Sequence, residues 1–212
     1  MHAVVVAGSS LTVELDAALF ARADLLVAVD GGAEAIARAG LVPDVLVGDM
    51  DSISMATKAS LEEQGVEMVL LRTAKDETDA EAALRLAVDR NADEITVYGA
   101  LGGPRLDHLM ANLFLLSSPW LDGVGVRMVD DLHEAFLVKG DVVFGGRRGD
   151  VVSLLPLTPD VRDVRTEGLL YPLAGESLTQ SATRGVSNAM MGPEARVTHG
   201  AGVLLLIHYR GR

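Results

Sequence analysis

Asp49 and Asp51, one residue apart in Gly48-Asp49-Met50-Asp51-Ser52, are the side chains best suited to chemistry here. Two carboxylates at this spacing point the same way if the backbone stays extended. Such hard oxygen donors suit Mg²⁺, which keeps some waters and takes other ligands from phosphates. The alternative is a solvated turn in which Ser52 caps the following helix. Val29-Asp30-Gly31-Gly32 adds a carboxylate beside glycines that permit a sharp turn and close approach of a ligand to the backbone. In Lys75-Asp76-Glu77-Thr78-Asp79, Thr78 has the spacing of a helix N-cap, and a helix start attracts phosphate. Lys75 can set a mobile positive charge on that phosphate, and Asp79 can complete the metal set. A capped, solvated helix start with an ion pair fits this segment as well. Gly102-Gly103-Pro104-Arg105-Leu106-Asp107-His108, with Asn112 beyond it, is the fourth segment. The rigid guanidinium fork of Arg105 matches phosphate oxygens. Asp107 and His108 are neighbours on a helix and do not share a face, so they hold different tasks: base, support for a metal, or helix start. Asn112 lies one turn from His108 and can hydrogen-bond with it.

These four segments need a scaffold that brings them together. Short β-branched apolar runs at 3–7, 25–29, 45–47, 68–71 and 94–98 alternate with amphipathic stretches at 11–22, 33–39, 55–64 and 79–91. A further helix over 106–117 and a strand over 126–129 extend the alternation. Strands apolar on both faces and separated by single helices predict a parallel sheet covered by helices. Ligands of an open parallel sheet bind beyond the carboxyl ends of its strands, where the four segments fall.

After about Asp131 the texture changes. Short apolar runs at 135–138, 142–144, 151–155 and 203–207 are separated by Gly, Asp, Pro and Arg clusters, with no helical periodicity. That pattern predicts an antiparallel sandwich or small barrel. The expected division is therefore residues 1–131, an α/β Rossmann-like domain, and residues 132–212, an all-β sandwich.

The formal net charge of −12 argues against nucleic acid or an anionic membrane as partner, since both require a basic face. A phosphate ligand would need a divalent cation to offset the carboxylates. The sequence has no cysteine, which excludes disulfides, iron–sulfur clusters and thiolate zinc sites. The first apolar run is too short for a signal core or a membrane span, so a cytoplasmic protein is expected.

Taken in order, Asp30-Gly31-Gly32, Pro43-Asp44, Gly48-Asp49-Met50-Asp51-Ser52, Lys75 to Asp79, and the glycine pair followed by Arg105, Asp107 and His108 resemble the thiamine pyrophosphokinase family. The second half is similar too, in Ser153-Leu154-Leu155-Pro156-Leu157, Thr166 to Leu173, and Arg184-Gly185-Val186-Ser187-Asn188. Pro104 departs from the family's glycine–glycine–arginine run and fixes the backbone there. The resemblance implies transfer of pyrophosphate from ATP to thiamine, with Mg²⁺, in a homodimer with sites between subunits. It assigns Asp49, Asp51 and Asp79 to the metal. Arg105 goes to phosphate, and Asp107 orients the nucleophile or accepts its proton. Asp30, Gly31, Gly32, Lys75, Asp76, Thr78, Gly102, Gly103 and His108 go to the nucleotide and its metal. Tyr171, Ser187 and Asn188 go to thiamine, whose cationic flat rings suit an aromatic wall.

Three rivals are weighed. An enzyme of the same chemistry could act on another alcohol, such as a hydroxymethyl pterin. A metal-dependent phosphohydrolase would want more histidine ligands than this spacing offers. A non-catalytic thiamine or nucleotide sensor has less need of three acidic groups. Trp120 is expected to pack or lie at the surface and Met190-Met191 to pack in a loop, rather than bind, and His2, His133, His199 and His208 are read as ordinary.

Overall fold

The parallel sheet forms where the sequence places unbroken apolar runs. The computed structural model describes residues 1–8, 20, 22–72 and 76–211, so most of the helix expected over 11–22, and Lys75, lie outside the described residues. The chain divides into two units, Met1–Asp131 and Leu132–Arg212.

In the first unit, β1 (His2–Ala7), β2 (Leu25–Val29), β3 (Val45–Gly48), β4 (Glu67–Leu70), β5 (Glu94–Tyr98) and β6 (Gly125–Val129) pair in parallel, in the order β6-β5-β1-β2-β3-β4. Every residue of β2 and β3 is buried, whereas Glu67 and Leu70 at the two ends of β4 are exposed, as befits an edge strand. Winding reverses between β1, which pairs with β2 on one side, and β5 on the other. A ligand crevice is expected at that point.

The described α-helices are α1 (Gly32–Arg38), α2 (Met55–Glu63), α3 (Asp79–Asp89) and α4 (Leu106–Leu115). Ala83, Leu84 and Ala87 form the buried stripe of α3. Val4, Val6, Leu26, Ala28, Ile36, Leu46 and Leu61 belong to one apolar core. Thr78 caps α3 by accepting the Glu81 N–H at 3.2 Å. The helix ends before the expected residue 91 because Asn91 adopts a left-handed φ of 66°. The cap of α2 is Ser54, whose Oγ accepts the Thr57 N–H at 3.1 Å, and not Ser52. An N-cap must directly precede the first helical residue, and that residue is Met55.

The second unit is all-β among its described residues. β7 (His133–Leu137), β8 (Asp141–Gly145), β9 (Val151–Pro156), β10 (Asp160–Glu167), β11 (Ala174–Thr179), β12 (Asn188–Ala189), β13 (Glu194–Thr198) and β14 (Leu204–Tyr209) form two antiparallel sheets. Their orders are β12-β9-β14-β7 and β11-β10-β13-β8. Phe136, Val152, Leu154 and Leu206 from one sheet share a single apolar core with Phe144, Val161, Leu178 and Val197 from the other. β10 is not among the expected runs. Register shifts between Val161 and Val164 disrupt its alternation, so the charged residues around them look like a loop.

Candidate active site

The acidic centre begins with a glycine. Asp30 directly follows β2 with a left-handed φ of 43°, and its N–H continues the ladder to Val47 O at 3.0 Å. Its carboxylate lies against the backbone of Gly48: a Cβ there would sit 1.8 Å from Asp30 Oδ1. Only glycine fits. The chain then turns at Met50 (φ 66°), whose N–H donates to Asp30 Oδ1 at 3.1 Å. This turn brings Asp49 and Asp51 round to Asp30, with one carboxylate oxygen from each of the three within 4.8 Å of the others.

Burial pushes the Asp30 carboxyl up to about 6, against the opposing Met50 hydrogen bond, and the charges of Asp79, Asp49 and Asp51 add to the rise. Convergent carboxylates whose mutual repulsion disfavours ionisation are relieved by a hard divalent cation, so this donor set fits Mg²⁺. Asp79 is not within the close group. It stands on the cleft wall and acts on Asp30 through its charge.

The cleft holds about 500 Å³ and is built at the carboxyl ends of the strands. Ala7 and Gly8 follow β1. Asp30, Gly31, Asp49 and Ser52 follow β2 and β3. Glu77, Thr78, Asp79 and Ala80 bring in the start of α3, and Gly99, Gly102, Gly103, Pro104, Arg105, His108 and Asn112 follow β5. Gly32 does not line it: a Cβ there would lie 2.0 Å from Val6 O, so this glycine lets α1 begin against β1. Asp76 is exposed and does not line it either. Sequence reasoning does not single out Ser52 or Glu77 as binding residues, although both fall inside the segments it marks.

Arg105 and Asp107 face each other. Arg105 Nε donates to Asp107 Oδ1 at 2.9 Å and Nη2 to Oδ2 at 2.5 Å, and both side chains are exposed. The guanidinium holds the Asp107 carboxyl down at about 2, which suits an anion that aims Arg105 better than a proton acceptor. Asp107 does not line the cleft. Asn112 does not meet His108: its Nδ2 donates to Ala100 O at 3.0 Å and ties α4 to the loop after β5. Pro43-Asp44 is explained structurally, because Asp44 Oδ2 accepts the Leu26 N–H at 2.7 Å and Asp44 N–H donates to Leu26 O at 2.9 Å. Arg85 lies 4.4 Å over the ring of Trp120, consistent with the expected packing role.

In the second unit, Tyr171 is 65% exposed. Its backbone is clamped by Asn188, whose Oδ1 accepts the Tyr171 N–H at 3.0 Å and whose Nδ2 donates to Tyr171 O at 2.7 Å. Asn188 Oδ1 also accepts the Ala189 N–H at 2.9 Å. Ser187 is held at a left-handed φ of 62°, with its N–H donating to Ser153 Oγ at 3.1 Å. Met190 is buried, as expected of packing, whereas Met191 beside it is exposed. His208 is not ordinary. It is fully buried, with Nε2 3.1 Å from Asp150 Oδ2 and Nδ1 3.8 Å from Glu134 Oε2. A histidine isolated in sequence gives no signal of carboxylates that reach it from β7 and from the residue preceding β9.

A family model described as thiamin pyrophosphokinase, catalytic domain, matches residues 17–127, and one described as thiamin pyrophosphokinase, vitamin B1 binding domain, matches residues 142–204. The thiamine pyrophosphokinase of Bacillus subtilis is 26% identical over 185 residues, 86% of each chain. Thiamine pyrophosphokinase 1 of Oryza sativa is 27% identical, over 91% of this chain and 81% of that one. The crystal structure of the Bacillus subtilis protein superposes over the whole of both chains with a TM-score of 0.87 at 25% identity. That of thiamin pyrophosphokinase from Candida albicans, at 18% identity, shares the fold with a TM-score of 0.83 over 99% of this chain and 89% of that one.

Proposed function

The chain belongs to the thiamin pyrophosphokinase family, and from that premise we propose how its residues divide the work. The reaction is transfer of a pyrophosphoryl group from ATP to the hydroxyl of thiamine, giving thiamine diphosphate and AMP. The observation that carries the reading is the convergence of Asp30, Asp49 and Asp51 in a cleft at the carboxyl ends of a parallel sheet.

Asp49 and Asp51 would hold Mg²⁺, with Asp30 backing them and Asp79 adding its negative charge from the start of α3. When bound, the ion neutralises phosphate oxygens around the phosphorus under attack. Phosphoryl transfer of this type asks the protein chiefly for positioning and charge stabilisation. Thr78 and the first N–H groups of α3 receive phosphate oxygens at the positive end of an eleven-residue helix. Arg105, aimed by Asp107, meets the same phosphates, and Gly31, Gly102 and Gly103 let the nucleotide approach the backbone.

The parallel unit serves as a Rossmann-like ATP domain and the second unit as the thiamine domain. There the Tyr171 ring stacks on the cationic rings of thiamine, with Ser187 beside it. We take the working form to be a homodimer with sites between subunits. Exposed Leu106, Met110 and Phe114 recur every four residues along α4 and supply an apolar face for a second copy. No helix among the described residues is long and apolar enough to cross a membrane, and the absence of cysteine suits work in the cytoplasm.

The test is incubation with ATP, Mg²⁺ and thiamine, reading products by mass spectrometry. AMP and thiamine diphosphate in equal amounts are expected. Inorganic phosphate alone would make the protein a hydrolase, and tight thiamine binding without turnover a sensor.

A further inference from the structure

Asp49 and Asp51 sit on a segment without helix or strand, between the end of β3 and the start of α2. Three carboxylates within 4.8 Å repel one another, so something must hold that segment in place. Two anchors do, and both come from the stretch directly after β2. At one end Asp30 takes the Met50 N–H. At the other, Glu34 in the first turn of α1 takes the Ser54 N–H on Oε1 at 2.9 Å and the Thr57 hydroxyl on Oε2 at 2.9 Å. Ser54 is itself the cap of α2, its Oγ bonded to both the N–H and the hydroxyl of Thr57. Glu34 therefore binds the residue that decides where α2 starts. Only Asp51, Ser52 and Ile53 remain between the two anchored backbone groups. The Ser54 N–H also holds the Glu34 carboxyl below its ordinary range, so it is ionised and a strong acceptor at neutral pH.

We propose that Glu34 is a positioning residue for the metal centre: by holding Ser54 and Thr57, its carboxylate sets the course of the backbone that carries Asp49 and Asp51 to Asp30. This rests on the metal reading given above. Glu34 is not in the acidic group and is not among the residues lining the cleft, so it acts through the backbone and not as a ligand.

The test uses the 212-residue chain, Mn²⁺ and α,β-methylene-ATP, which cannot be cleaved at the bond in question, with bound Mn²⁺ read by electron paramagnetic resonance. Glu34→Ala should weaken Mn²⁺ binding by about tenfold, the scale of losing a group that orients metal ligands. Glu34→Gln should stay within about twofold of wild type, because its amide oxygen still accepts from Ser54 and its NH₂ donates to the Thr57 hydroxyl. The KM for thiamine should not move in either variant. A purely structural role would lower the melting midpoint and leave Mn²⁺ affinity alone, which would overturn the proposal. So would equal weakening by Ala and Gln, since charge and not the tether would then be responsible. If Glu34→Ala does not fold, Thr57→Val decides. It removes one of the two links and should weaken Mn²⁺ by about threefold, and an unchanged affinity rejects the proposal. Should wild type itself fail to bind Mn²⁺, or Asp49→Asn bind it normally, the metal centre fails and the Glu34 proposal falls with it, whereas normal wild-type binding that Glu34→Ala leaves unchanged rejects the Glu34 proposal alone.

Discussion

The acidic cleft of the first unit and the Tyr171 segment of the second treat polar side chains in opposite ways. In the cleft, Asp30, Asp49 and Asp51 converge until burial and repulsion raise the Asp30 carboxyl to about 6, leaving their oxygens directed at a common space. Around Tyr171, the polar groups are satisfied internally: the amide of Asn188 closes on the backbone of Tyr171 and on Ala189, and an aromatic ring is what remains exposed. One region crowds like charges together. The other has its hydrogen bonds complete and presents a rigid flat surface. Like charges crowded together are costly, so such a cluster suits a counter-ion that offsets them.

The largest break in this comparison comes from neutralising the cleft. Asp49→Asn keeps the shape of the side chain and removes one of the three charges. Activity should fall by on the order of 10³-fold, the scale of losing one preorganised electrostatic group, and added Mg²⁺ should restore only part of it. The measurement is kcat against Mg²⁺ concentration. Full activity at ordinary Mg²⁺ would remove the metal assignment.

The second unit should respond in KM, not kcat. Tyr171→Ala is expected to raise the KM for thiamine by roughly tenfold, the size of a partly desolvated cation–π contact, with the KM for ATP unchanged. Asn188→Ala should raise it by about fivefold, through the loosened Tyr171 backbone. In the Tyr171→Ala background it should add less than about twofold, because both changes remove the same surface. Additive effects in this double-mutant cycle would mean that Asn188 touches thiamine itself.

How much of this is legible in the sequence follows from the same contrast. The cleft residues sit at the ends of unbroken apolar runs, so a parallel-sheet reading by itself places Asp30, Asp49, Asp51 and Thr78 on one edge. What that reading lacks are contacts set by backbone shape. Asp30 joins the group because Gly48, eighteen residues on, has no Cβ. Glu34 matters because its carboxylate reaches across from α1 to the start of α2. Ser52 has the residue type of a cap, yet α2 starts three residues later, and Ser54 takes the role. In the second unit, Ser187 and Asn188 are read as ligands from resemblance alone, and spacing has no means of revealing that the Asn188 amide folds back on Tyr171. The strand at Asp160–Glu167 escapes notice because its bulge breaks the alternation that marks a half-buried strand. Regular periodicity survives into the sequence; bulges, missing Cβ atoms and side chains that bind distant backbone do not.

The smallest effect sharpens the division within the cleft itself, between groups that receive a ligand and groups that aim one. Asp107 is paired with Arg105 and held at about 2, with the Arg105 hydrogen bonds as the main cause. A carboxyl depressed in the folded state stays ionised above its unfolded value near 3.8 and loses its pairing only as pH falls through about 2. It therefore does not change charge between roughly pH 5 and 9 and contributes no limb to a rate profile in that range. Asp107→Asn should lower kcat by about threefold to tenfold by releasing the Arg105 fork. The shape of kcat/KM against pH should be that of wild type. Arg105→Lys should be no more active than Asp107→Asn, because a point charge lacks the paired donors of the fork. If Asp107→Asn instead abolishes the acidic limb, Asp107 accepts the proton of the attacking hydroxyl in the bound complex, and the Arg105 pair must open before the reaction.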